Sequence, residues 1–96
     1  MTSPAFIDNN IPVISSKFRF QWEEAQGCHI ILYPEGMITL NPSAGEILKR
    51  CNGEMDIAAL IHDLKTQFPG IDLETDVRKF LEVAYDNGWI RFHSPA

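Results

Sequence analysis

Residues 29–53 read HIILYPEGMITLNPSAGEILKRCNG and hold, in succession, a hairpin, a capped helix and a stop signal. Ile30, Leu32, Ile38 and Leu40 recur with period two on either side of Pro34-Glu35-Gly36. Proline fixes φ there, and glycine can take the positive φ that closes a short loop. The stretch therefore predicts strand, turn, strand and helix. Asn41 can cap the free amides of that helix with Pro42 at its first position, and Ser43 with Glu46 offers a capping box as an alternative. Ala44, Ile47, Leu48 and Cys51 form its apolar stripe, and Asn52-Gly53 ends it. Nothing in the segment resembles a catalytic constellation, so it reads as a docking scaffold.

Upstream, residues 17–23 alternate cleanly, Phe18, Phe20 and Trp22 against Lys17, Arg19 and Gln21, which predicts a half-buried strand. Residues 28–33 are apolar on both faces, as a central strand would be, and residues 37–40 form the third and shortest strand. In residues 1–16, Pro4, Asn9-Asn10 and Pro12 break any period and predict an extended N-terminal arm. The arm still carries Phe6, Ile7, Ile11, Val13 and Ile14, so part of it is expected to lie along the body or on a second copy.

Downstream, Asp56 opens a second helix with Ile57, Leu60, Ile61, Leu64 and Phe68 on one stripe, stopped by Pro69-Gly70. Asp72 caps a third helix carrying Leu73, Val77, Phe80, Leu81 and Ala84, and Asn87-Gly88 ends it. Residues 89–92 return as a short strand. The fold class is α+β and winged-helix-like: a three-stranded antiparallel sheet followed by three helices and a short terminal strand. Residues 17–93 make a single domain after the arm.

The chain has 96 residues, 45% hydrophobic and 22% charged, with a net charge of −5. At this size roughly 65% of the unfolded surface is buried on folding, enough for one core. No apolar run approaches the ~20 residues needed to span a bilayer, and no signal peptide opens the chain, so a cytoplasmic protein is expected. Cys28 and Cys51 each stand where an apolar residue fits the local period, which predicts two reduced, buried thiols. An acidic chain without a basic patch argues against nucleic acid and membrane surfaces.

His29, His62 and His93 have no Cys or carboxylate at ligand spacing beside them, so no metal site is expected. There is no Gly-x-Ser-x-Gly elbow, and the single glycines make no phosphate loop, so neither catalysis nor a cofactor is expected. Carboxylates near helix starts suit the helix dipole, but Asp76, at the border of the apolar stripe beside Lys79, can receive a partner's amide or basic group. Three helices and a wing also suit a DNA-binding or transcription-associated winged helix, the alternative reading. Against it, Asp72, Glu74, Asp76, Glu82 and Asp86 outnumber Arg78 and Lys79 on the third helix. A short last strand at a sheet edge leaves main-chain groups to which an extended peptide can add itself.

Tyr33-Pro34-Glu35-Gly36, Leu40-Asn41, Ile47-Leu48, Cys51-Asn52-Gly53, Asp76-Val77-x-x-Phe80-Leu81 and Asn87-Gly88-Trp89-Ile90 follow one another in an order and spacing that resembles the pyrroloquinoline quinone biosynthesis protein D (PqqD) family. The resemblance implies a peptide chaperone that holds the precursor peptide PqqA and presents it to the radical S-adenosylmethionine enzyme PqqE, which cross-links a Glu and a Tyr of that peptide. In related domains the peptide pairs with the third strand and lies against the third helix. On this chain those positions are Met37, Ile38, Thr39 and Leu40, with Asp76, Lys79, Phe80 and Val83 lining the groove. Ile38, Leu40 and Phe80 are expected to be partly core, so that substituting them mixes binding with stability. An arm exchanged between copies would give a homodimer.

Overall fold

Ile30 and Ile31 point to opposite faces of one strand, and each is only 1% exposed. Only a strand covered on both faces and flanked on both sides buries such a pair, and β3 (Cys28–Tyr33) is that strand. In the computed structural model, which describes residues 9–70 and 73–93, it lies between β2 (Arg19–Glu23) and β4 (Gly36–Thr39). Both neighbours run antiparallel to it, with Phe20 and Ile38 opposite Ile31. Pro34 and Glu35 form the two-residue loop between the paired Tyr33 and Gly36, so β4 begins one residue earlier than the apolar period suggests.

The helices follow as α1 (Pro42–Lys49), α2 (Ile57–Gln67) and α3 (Glu74–Asp86). Asn41, and not a Ser43 box, caps α1: its Oδ1 accepts the Ala44 amide at 2.8 Å. Asp56 does the same for the Ala59 amide of α2, also at 2.8 Å. Such caps satisfy amides that have no partner inside the helix and contribute about 1 kcal/mol each. Asp72 lies outside the described residues. The N-cap residue of α3 is Leu73, which makes no side-chain cap bond, and Glu74 and Asp76 complement the helix dipole instead. The chain leaves α1 through Gly53 at φ +84°, a conformation that favours glycine.

Residues 11–14, part of the extended arm in sequence, form β1 (Ile11–Ile14), which pairs with the terminal strand β5 (Ile90–His93) from Ile11 opposite His93 to Ile14 opposite Ile90. Further main-chain bonds run from the Ile14 amide to the Cys51 carbonyl (3.1 Å) and from the Ile57 amide to the Asn10 carbonyl (3.0 Å). Strand β1, paired with β5, is thus stitched to the exit of α1 and the start of α2. Phe6 and Ile7 lie outside the described residues.

Core side chains come from every helix stripe: Ile47, Leu48 and Cys51; Ile57, Leu60, Ile61 and Leu64; Val77, Leu81 and Ala84. Ile31, Leu40 and Ile90 meet them from the strands, and Phe18, Phe20 and Ile38 close the margin. Each large apolar side chain buried there contributes roughly 1.5–3 kcal/mol. The fold is α+β, with the three-stranded sheet, three helices and terminal strand in the expected order and β1 added to them. Trp22 is a partial exception to the inward alternation of β2. At the far end of that strand it is 52% exposed, and its indole N–H donates to Glu24 at 2.8 Å.

Candidate functional site

Strand β4 pairs with β3 on one side, and its other side is an edge of the three-stranded sheet. The Leu40 amide donates to the His29 carbonyl at 3.0 Å. Main-chain groups alternate in direction along a strand, and Leu40 continues the register in which Ile38 faces Ile31. The amides of Leu40 and Ile38 therefore point into the sheet, while the N–H and C=O groups of Met37 and Thr39 point out of it. This edge also carries no charge, its sequence being GMIT. The opposite edge, β2, carries Arg19 and Glu23.

Asp76, Lys79, Phe80 and Val83 fall at positions i, i+3, i+4 and i+7 of α3 and so share one face. Asp76 and Lys79 are exposed, Val83 is 48% exposed, and Phe80 packs half-buried against the core. On β4, Met37 is 46% exposed and Thr39 is also exposed. Ile38 leans on the same core as Phe80, and Leu40 is committed to it. Of the eight residues singled out in the sequence, Met37, Thr39, Asp76, Lys79 and Val83 thus present open surface, Ile38 and Phe80 present part of theirs, and the Leu40 side chain is interior.

A feature absent from the sequence reading lies between the helices. A cleft of about 310 Å³ opens where the start of α1, the end of α2 and the start of α3 meet. Its apolar wall includes Ile47, Leu64, Phe68, Leu73 and Val77, and its rim includes Pro42, Ser43, Glu46 and Asp76. Among the described residues, both ionisable residues lining it are carboxylates. Phe68 reads in sequence as the tail of the α2 stripe, but it is the C-cap residue of that helix and remains 39% exposed.

Arg50 ties α1 to α2 behind the cleft. Its Nε donates to Asp63 at 2.6 Å and its Nη1 to the Glu46 carboxylate at 2.9 Å. The hydrogen bond from Arg50 holds the Glu46 carboxyl below its ordinary pKa against the opposing effect of burial. Burial disfavours the Arg50 cation, but the bonds to Glu46 and Asp63 outweigh it and raise its pKa.

The histidines are placed separately. His29 stacks on Phe20 (4.9 Å between ring centroids, 8° between planes) beneath Gly45, His62 is exposed on α2, and His93 ends β5. Cys51 is buried, donates to the Ile47 carbonyl and has its thiol pushed up to about 12 by burial, whereas Cys28 is only half-buried. Among the described residues no group of three or more His, Cys, Asp or Glu is placed to hold a metal ion, and no helix is long and apolar enough to cross a membrane.

Three kinds of similarity accompany this geometry. A family model described as coenzyme PQQ synthesis protein D (PqqD) matches residues 28–90. A "PqqA binding protein" of Azotobacter vinelandii is 51% identical over 86 residues, covering 88% of this chain and 94% of its own. Another of that name, from Methylococcus capsulatus, is 46% identical over 78 residues, covering 81% and 84%. In fold, the chain is similar to the solution NMR structure of the PqqD truncation of Methylobacterium extorquens PqqCD, described as a functional, stand-alone recognition element for ribosomally synthesized and post-translationally modified peptides. The TM-score is 0.72 at 21% identity, over 91% of this chain and 95% of that one.

Proposed function

The chain belongs to the family of coenzyme PQQ synthesis protein D, and from that premise we propose that it is a peptide carrier of pyrroloquinoline quinone biosynthesis. It binds the precursor peptide PqqA as an added strand on β4 and presents it to the radical S-adenosylmethionine enzyme PqqE. The name borne by the relatives, PqqA binding protein, supports the choice of peptide.

The observation that carries the mode of binding is the edge of β4, uncharged and without a second partner strand among the described residues. Edge strands are normally blunted by charge, proline or cover, because unpaired main-chain groups recruit other strands. Arg19 and Glu23 blunt β2 in this way, and β4 has no such residue. A guest strand there bonds to the outward N–H and C=O groups of Met37 and Thr39, and alternate side chains of the guest turn toward the helices, where Asp76, Lys79, Phe80 and Val83 select them. About eight guest residues are ordered on docking, and the entropy lost limits the affinity to roughly micromolar, near −8 kcal/mol. The domain catalyses nothing itself and works in the cytoplasm, where the modifying enzyme meets the loaded carrier.

Amide NMR during titration with synthetic PqqA tests this reading. Shifts are expected at residues 37–40 and 76–83. The DNA-binding alternative requires shifts with duplex DNA at moderate salt and none with peptide. The excess of acidic over basic residues on α3, Glu74, Asp76, Glu82 and Asp86 against Arg78 and Lys79, disfavours it.

A further inference from the structure

We propose that the cleft between α1, α2 and α3 is a second docking site for the same guest peptide, taking one apolar side chain while a neighbouring lysine or arginine of the guest pairs with Asp76 on the rim. The inference rests on strand addition at β4 and extends it past that edge to a cleft that shares only Asp76 with the α3 face named above.

Continuity is the first argument. Strand β4 ends at Thr39, and the cleft begins at Pro42. Three residues of extended chain span roughly 10 Å, so a guest that runs on past the end of β4 reaches the start of α1 within a few residues. Size is the second. A volume of about 310 Å³ is at the small end of the ~300–1,000 Å³ typical of ligand pockets, suited to a large side chain.

Charge is the third. Among the described residues, Glu46 and Asp76 are the ionisable groups of the lining, and no Lys, Arg or His lines it. Glu46 is already matched by Arg50, which keeps it ionised. Asp76 is exposed and makes no ion pair with any described residue. An apolar wall with one unmatched carboxylate at its lip favours an apolar side chain adjacent to a basic one. It disfavours an anionic small molecule, which Asp76 would repel.

The test uses the full chain with methyl-labelled Ile, Leu and Val and synthetic PqqA of Azotobacter vinelandii as probe. The methyls of Ile47 and Leu64, which lie outside the stretches that strand addition alone perturbs, are expected to shift in step with the amides of residues 37–39. Phe68→Ala removes a ring that is 39% exposed on the cleft wall; with its fold checked by thermal unfolding, it should weaken binding about five-fold or more while the β4 amide shifts keep their pattern. Replacing the basic residues of the peptide by glutamine one at a time should reveal one whose loss weakens binding about two- to five-fold to the wild type and not at all to Asp76→Asn. Shifts at β4 with silent cleft methyls and unchanged affinity of Phe68→Ala overturn the cleft and leave strand addition standing. Responding cleft methyls with a silent β4 edge support the cleft and remove strand addition. Silence at both removes the peptide reading altogether, and the cleft with it.

Discussion

Thr39→Pro is the substitution that separates a main-chain docking edge from an ordinary surface strand. The alternation fixed by the bond from the Leu40 amide to the His29 carbonyl points the Thr39 amide out of the sheet, where proline removes nothing that the ladder uses. The preceding residue, Ile38, already has the extended backbone that proline demands of its neighbour. Folding should therefore lose less than about 1 kcal/mol, a fall in Tm within about 4–8 °C for a domain of this size. A guest strand loses much more. Met37 and Thr39 offer it two N–H and two C=O groups. Deleting one donor forfeits a bond and strands a guest carbonyl, at a cost of about 1–3 kcal/mol, and the proline ring stands where the guest backbone would lie. Calorimetric titration with PqqA should thus show affinity reduced by at least about five-fold, and up to about 150-fold. Ile38→Pro is the contrasting variant: it removes an inward ladder bond, so thermal unfolding should reveal about 3 kcal/mol of lost stability. A Thr39→Pro protein that folds normally and binds PqqA like the wild type would refute the zipper at β4.

Three further outcomes follow from contacts elsewhere in the domain. A Cβ at Gly45 would stand 2.6 Å from Nδ1 of His29, whose ring is held against Phe20, so Gly45→Ala should destabilise by about 1–2 kcal/mol in urea unfolding despite its better helix propensity. The same substitution in a His29→Ala background should instead be neutral or stabilising. One thiol, Cys28, should react with an aromatic disulfide reagent at pH 8 in the native protein and two in the unfolded one, because burial shields Cys51 and pushes its thiol up to about 12. Glu46 has its pKa lowered in the fold, so its contribution is present above the ordinary carboxylate range and is lost as pH falls through the folded value. Unfolding curves between about pH 6 and 3 should show that acid limb flattened in Arg50→Gln.

Local chemistry made some elements legible and could not reach others. Ile30 and Ile31 announce a central strand because two adjacent apolar residues have to be covered on two faces. Asn41 and Asp56 announce helix starts because each precedes an apolar period at the distance from which its oxygen reaches a free amide. Residues 11–14 had no comparable signal. Their partners lie at 90–93, and neither segment shows that the other exists, since Ile-Pro-Val-Ile is as compatible with a loop as with a strand. The one-residue offset of β4 has a geometric origin: with only Pro34 and Glu35 in the loop, Gly36 must already face Tyr33.

The same division runs through the site. The proposed docking edge is a matter of one strand's main chain, and what suggests it in sequence is what is missing: four residues, Gly36 to Thr39, with no charge and no proline to discourage a visitor. Reading Asp76, Lys79, Phe80 and Val83 as one face required only the period of a helix. The cleft, by contrast, exists only where three helices converge. Ile47, Leu64 and Val77 carry the pattern of core residues and are indeed buried, yet each turns part of its surface to a hollow that no single period encodes. Phe68 held the nearest clue. It completes the apolar stripe of α2 immediately before Pro69-Gly70, where the helix must stop, and a large ring at a helix end has no following turn to cover it. An aromatic residue placed at such a stop is either tucked under the next segment or left at the lip of a hollow, and its exposure here is what makes the cleft's outer wall available to a guest.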